Sequence, residues 1–297
     1  LDSSICDSGR AVPIYVSTAC LTGQEPLDRR LERFEEHGLD HVELGGGVVC
    51  DGKMLDRLAA SSRSFLVHNY FPHPAVPFVL NLASGDEQIR RRSMQFAMEA
   101  LELCARLGAP FYSVHGGFIT DPTGREGAGF AFPAPASADA GRRASERFGT
   151  AVEAVLARAQ TLGVGLLIEN NVCRAALRGR LLCATSDDCV SLVAKRAEGG
   201  LGLLVDTGHL NVTARTYGFD RLAFLEAVEP YVGAFHVHDN DGTADMHEPC
   251  RPTSWVIGAL QRHRRRGVPV VLESKFDSIE ALRSHADWLA TQLVARD

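Results

Sequence analysis

No stretch of the chain approaches the roughly 20 uninterrupted apolar residues that a helix needs to cross a bilayer, so no membrane partner is expected. Charge of one sign is equally scarce. Against 31 basic side chains stand 37 acidic ones, a formal net charge of −6, which gives no general pull toward nucleic acid or anionic lipid. Nucleic acid is therefore not an expected partner, short of a local basic groove. The 8 cysteines, at positions 6, 20, 50, 104, 173, 183, 189 and 250, form no CxxC pair and no zinc-finger spacing. A chain of this length does not need disulfides, so scattered reduced thiols are expected, with Cys250 set apart by its position near a polar cluster. The amino terminus, LDSSICDSGR, lacks the basic start and apolar core of a secretory signal, and a cytoplasmic location is the expectation.

What is present is core material, 45% apolar against 23% charged residues over 297 positions. Eight short apolar runs recur along it: Pro13–Ser17, His41–Leu44, Phe65–His68, Phe111–His115, Val164–Glu169, Leu201–Asp206, Val232–His238 and Val268–Glu273. Several are β-branched or continuously apolar, as strands buried on both faces are. Segments of helical period lie between them: Asp28–His37, Asp51–Ala60, Asp86–Leu107, Ala144–Leu162, Asp187–Ala197, Phe219–Val228, Ser254–Arg264 and Ser278–Leu293.

Eight strand–helix units with right-handed crossovers close most economically into a (β/α)₈ TIM barrel, an α/β fold. The expected organisation is a single barrel domain over residues 11–297 behind an N-terminal tail of residues 1–10. A doubly wound open sheet is the rival, but the first strand runs into STACLTG and not into a glycine-rich phosphate loop. One segment breaks the rhythm. Gly116–Gly141, rich in Gly, Pro and Ala, follows the fourth strand and is long enough to be a lid over the strand ends. The basic run Arg262–Arg266 falls at a helix end, where it suits the helix dipole.

The strand ends carry the chemistry. Strand three ends in His68, four in His115, five in Glu169, six in Asp206, seven in His236-Val-His238 and eight in Glu273. In a parallel barrel these ends meet at one mouth. Carboxylates and imidazoles crowded there repel unless protons or a cation compensate, which points to a metal. Glu169, Asp206, Glu273 and one strand-seven histidine would offer three oxygens and one nitrogen, a set suited to Mn²⁺, Mg²⁺, Co²⁺ or Zn²⁺. Of the two histidines, His238 lies nearer the mouth and is the expected ligand, leaving His236 a packing or supporting role. His209, Asp245 and His247 could complete further metal sites with His68 and His115. The loop HDNDGTADMHEP also reads as a turn whose side chains bond their own backbone.

These segments resemble the xylose-isomerase-like barrel superfamily, which includes sugar isomerases and epimerases and endonuclease IV. The resemblance runs from the first strand to LESK and is most specific in LLIEN, LLVDTGHLN, HVHDNDGTADMHEP and VVLESK. It implies one divalent metal on Glu169, Asp206, His238 and Glu273, with Glu169 and Glu273 moving a proton through a metal-stabilised enediolate of a small-molecule sugar or polyol. The endonuclease branch implies instead up to three Zn²⁺ and phosphoester cleavage, and its ligand positions match His68, His115, His209, Asp245 and His247. A lyase or dehydratase on the same barrel is a third reading.

The glycine run VELGGGVV in place of an arginine-bearing loop, the insertion in NYFPHPAVPFVLN and the acidic net charge favour the isomerase or epimerase. In that reading His209, Lys275 and His115 contact substrate, and Phe71, Phe118 and Phe130 line the mouth. A homo-oligomer is compatible with the sequence.

Overall fold

A computed structural model describes residues 13–23, 25–46, 50, 52–126, 129–135, 137–265 and 267–294. The tail of residues 1–10, Gly47 to Val49 of the glycine run and Arg266 of the basic run lie outside the described residues.

Eight parallel strands close into a barrel. They are β1 (Ile14–Ser17), β2 (His41–Leu44), β3 (Ser64–His68), β4 (Phe111–His115), β7 (Gly165–Glu169), β8 (Leu201–Asp206), β9 (Val232–Val237) and β10 (Val270–Leu272). Their order around the barrel is β1-β10-β9-β8-β7-β4-β3-β2, so the TIM barrel expected from the sequence is the fold. Helices α1 (Leu27–Glu36), α2 (Gly52–Ala59), α3 (Glu87–Leu107), α4 (Ala140–Leu162), α5 (Ser186–Val193), α7 (Arg221–Val228), α8 (Trp255–His263) and α9 (Ile279–Leu293) occupy the crossovers. The ends of the helices follow local chemistry. The Asp86 side chain accepts from the backbone N–H groups of Gln88 and Ile89 at the start of α3, and Gly108 stops that helix with a φ of 66°. No helix among the described residues is long and apolar enough to cross a membrane.

Three features depart from the sequence expectation. A further helix, α6 (Thr207–Tyr217), starts directly at the end of β8. Every residue from Thr207 to Ala214 is buried, so the segment has no polar face and no helical period to read. Within the long insert, β5 (Gly124–Glu126) pairs antiparallel with β6 (Gly129–Ala131), strands too short to show alternation. Phe118 and Phe132 of this insert pack at 4.9 Å between ring centres, and Asp121 accepts from Asn81 Nδ2 and Ser84 Oγ at 2.8 and 2.7 Å. The third departure is α4, which begins at Ala140 and not Ala144.

Side chains of alternate parity fill the barrel. Tyr15, Leu66, Phe111, Leu167, Leu204, Ala234 and Val271 form a closed apolar plug in its lower half. The larger cluster, from Val16 to Leu293, lies between the strands and the surrounding helices. Because side chains along a strand repeat every two residues, one step of two toward the mouth from each plug residue reaches Ser17, His68, Ser113, Glu169, Asp206, His236 and Glu273. The polar layer is therefore dictated by the register of the apolar one.

The plug is tight at β8 and β9. The ladder slips between Leu203 and Leu204, leaving Gly233 as the extra residue of a bulge. A Cβ on Gly233 would lie 2.6 Å from Leu167 Cδ2, and one on Gly202 2.8 Å from the same atom. Gly233→Ala is expected to cost about 1–3 kcal/mol of unfolding free energy in urea titrations, the usual penalty for overpacking. That penalty should largely vanish in a Leu167→Ala background, and an undiminished penalty there would contradict this account of the plug.

Candidate metal centre

The mouth brings together six imidazoles and five carboxyl groups from seven barrel strands or their ends, helix α6 and the loop after β9. Register sets the pairs: His115 lies opposite Glu169, and Asp206 opposite His236. Asp206 has two duties. Its Oδ1 accepts from the His209 backbone N–H at 2.6 Å and so caps α6, while its Oδ2 lies 3.0 Å from His238 Nε2. Starting a helix at the last strand residue is what turns His209 back over the mouth. Gly208 is required at that turn, since a Cβ there would sit 1.9 Å from the His238 ring.

The donors resolve into overlapping groups. His68 Nε2 and His115 Nε2 approach Glu169 Oε2 at 3.4 and 3.1 Å. His236 Nδ1 lies 3.7 Å from Glu169, 3.8 Å from Asp206 and 3.3 Å from Glu273. His209 Nε2 and His247 Nε2 flank Asp245 Oδ2 at 3.4 and 3.3 Å. The sequence-derived residues Glu169, Asp206, His238, Glu273, His68, His115, His209, Asp245 and His247 thus all reach the mouth.

The two strand-seven histidines divide otherwise than expected. His236 is the one that faces Glu169, Asp206 and Glu273 together, whereas His238 meets Asp206 and Asp245 and stacks on His247 at 4.1 Å. Register and reach explain this: His236 lies directly opposite Asp206, Glu273, one residue past the end of β10, reaches back to its Nδ1, and His238 lies two residues further toward the mouth.

One nitrogen of several rings is already committed to the protein. His209 Nδ1–H donates to the Asn170 carbonyl at 2.9 Å and His247 Nδ1–H to the Glu273 carbonyl at 3.1 Å. His68 Nδ1 is hydrogen-bonded to Ser113 Oγ at 3.0 Å, and His236 Nε2–H donates to Glu43 Oε2 at 2.8 Å. This is how metal-ligating histidines are oriented, with the second nitrogen left to the ion. Glu43, in the run HVEL, was not singled out from the sequence. Its parity, two residues on from His41, which packs edge-on against the plug residue Tyr15 at 5.2 Å, would have placed it inward.

Electrostatics favour a cation. Both oxygens of Glu169, His236 Nδ1, His238 Nδ1 and Asp245 Oδ1 are buried without a hydrogen-bond partner. Burial alone would raise the Glu169 carboxyl, but the His115 and His68 imidazoles hold it well below the usual carboxylate range. Burial opposes charge on His209 and His236 too, yet Asp206 and Asp245 around the first, and Glu273 and Glu43 around the second, raise both well above an ordinary imidazole. Burial keeps His68 lowered. Oxygen and imidazole donors without sulfur fit Mn²⁺, Mg²⁺, Co²⁺ or Zn²⁺. Cys250 adds nothing to this set, because burial and then Asp239 push its thiol up to about 12.

The remaining expected contacts are placed variously. His115 stays 32% exposed at its side chain, open to the mouth. Lys275 is exposed, with Nζ donating to the Ala19 carbonyl at 2.7 Å. Phe71 is fully buried in the core between strands and helices and not at the mouth; Phe130 is exposed and Phe118 packs in the insert. No disulfide links the described cysteines.

Comparison with known proteins follows the same lines. A family model described as a xylose isomerase-like TIM barrel matches residues 31–292. No curated protein matches the chain. Among solved structures, a D-tagatose 3-epimerase-like protein superposes with a TM-score of 0.73 at 20% identity, covering 95% of this chain and 97% of its own. A Thermus thermophilus protein from crystals soaked with zinc chloride gives 0.64 at 22%, covering 97% and 100%. D-psicose 3-epimerase with D-tagatose, from Clostridium cellulolyticum, gives 0.68 at 14%, covering 96% and 100%. At these identities the likeness is one of fold.

Raised histidines have a measurable consequence. In the metal-free chain His209 and His236 hold protons that an incoming divalent ion must displace, so its affinity rises with pH. Titrating the protein with Mn²⁺ at pH 6 and pH 8 should show at least about a tenfold tightening, with proton release seen as buffer-dependent heat. Equal affinity at both values would contradict the protonation pattern.

Proposed function

The chain belongs to the xylose isomerase-like TIM barrel family, and from there we propose that it is a divalent-metal-dependent isomerase or epimerase acting on a sugar or sugar derivative. One observation carries the reading: Glu169 and Glu273, which come from opposite flanks of the β7-β8-β9-β10 arc, converge on His236 Nδ1 at 3.7 and 3.3 Å with Asp206 beside them. Two carboxylates are thereby held on either side of a single centre, where one accepts a carbon-bound proton and the other returns one. The 3-epimerases among the structural neighbours support the same substrate class.

Glu169, Asp206, His236 and Glu273 would hold the ion. Bound there, a divalent cation supplies Lewis acidity that polarises the substrate carbonyl and eases loss of the adjacent proton. The protein supplies the rest. Burial of Glu169 and Asp206 keeps water from levelling the charges of the site. The partly open His115 can meet a substrate hydroxyl, whereas His209 has its two ring nitrogens turned to the Asn170 carbonyl and to Asp245. Lys275 is exposed, with one of its three ammonium N–H groups on the Ala19 carbonyl, which suits a contact at the rim.

A second reading is favoured by a specific feature. His238, Asp245 and His247 form a group beside the Glu169 centre, with His209 against Asp245, and His68 with His115 forms another that shares Glu169. Three such groups suit up to three Zn²⁺ and phosphoester hydrolysis of the endonuclease IV kind. Isomerase and hydrolase part company in a direct assay. A panel of ketoses and aldoses incubated in D₂O with the Mn²⁺-loaded protein should incorporate deuterium at carbon, with EDTA abolishing the exchange. Glu169→Gln and Glu273→Gln should each slow turnover by about 10²–10⁴-fold. Cleavage of an abasic duplex without any sugar exchange would overturn the first reading in favour of the second.

A further inference from the structure

We propose that Glu43 is a positioning residue of the metal centre: its carboxylate holds the Nε2–H of His236, so that Nδ1 is the nitrogen presented to a divalent ion beside Glu169, Asp206 and Glu273. The inference rests on the reading of the mouth as a divalent-cation site.

Glu43 stands on β2 and His236 on β9, with β1 and β10 between them in the barrel wall, so the two meet across the lumen and not along a ladder. Both side chains are fully buried and their contact is 2.8 Å. On the other side of the ring, three carboxylates lie 3.3 to 3.8 Å from Nδ1. An imidazole with one nitrogen fixed on an acceptor-only group has its other nitrogen free to ligate.

A purely structural role explains the contact less well. His209, His247 and His68 are oriented by neutral acceptors, two backbone carbonyls and a serine hydroxyl. Any of these would satisfy a buried histidine. A carboxylate is far more costly to bury, and Glu43 Oε1 has no hydrogen-bond partner. What the charge adds is electron density on the imidazole and a further negative group beneath the ion, both of which strengthen ligation. His68 shares the benefit: it meets the His236 ring edge-on at 4.7 Å and belongs with Glu43 to the same cluster.

The test uses the full chain and its Glu43→Gln and Glu43→Ala variants, titrated with Zn²⁺ alone against a competing chelator at one pH. Glu43→Ala should weaken binding about 10–100-fold, and Glu43→Gln, which keeps an acceptor but not the charge, by about tenfold. In the zinc-loaded proteins, ¹⁵N–¹H spectra of the His236 ring should show a protected Nε2–H in the parent chain that exchanges rapidly once Glu43 is alanine. If Glu43→Ala does not fold, the near-isosteric glutamine variant carries the test alone. A folded Glu43→Gln variant with unchanged zinc affinity and an unchanged ring signal would overturn the role of Glu43 while leaving the metal site standing. Failure of the parent chain to bind any Zn²⁺ would instead overturn the reading of the mouth, and this inference with it.

Discussion

Like charge held at close quarters in a buried space is the constraint on which this molecule turns. Glu43, Glu169 and Asp206 are buried to 1% exposure or less, and Glu273 joins them at 8%. Carboxylates so placed repel strongly where water cannot screen them. The fold answers with imidazoles from five of its strands and loops, and the metal-free chain balances its charge with protons on several of them. Protons are an imperfect answer, because they leave both Glu169 oxygens and two histidine nitrogens unpartnered. A divalent cation between Glu169, Asp206, Glu273 and His236 would partner the Glu169 carboxylate and the His236 Nδ1 together, which is why the donor set reads as a binding site and not as an accident of packing.

Much of this was legible in the sequence because a parallel barrel sends every strand end to one place. The last polar residue of each apolar run, from His68 to Glu273, names most of the mouth without coordinates. What escaped did so for identifiable reasons. The α6 helix is buried all round and so carries no period, and the hairpin of the insert is built from strands of three residues. His238 looked better placed than His236 because nearness to the strand end was the criterion. Counting in steps of two from the apolar plug places His236 opposite Asp206 and would also have drawn attention to Glu43, which lies inside its run and not at the end.

The same plug links stability to function. Leu167 packs over Gly202 and Gly233 in the floor and is followed, one step of two higher, by Glu169. Leu204 and Ala234 likewise lie beneath Asp206 and His236. The proposed ligands on these strands therefore stand on closely packed segments, and their mutual distances follow the barrel's register. His209, Asp245 and His247 come instead from a helix and a loop, so strand register does not fix their spacing.

Anomalous scattering from crystals grown with Mn²⁺ or Zn²⁺ tests the central claim most directly. The account predicts a strong peak within coordination distance of Glu169, Asp206, Glu273 and His236 Nδ1. A map with no peak there, or with ions only at the protein surface, would contradict it.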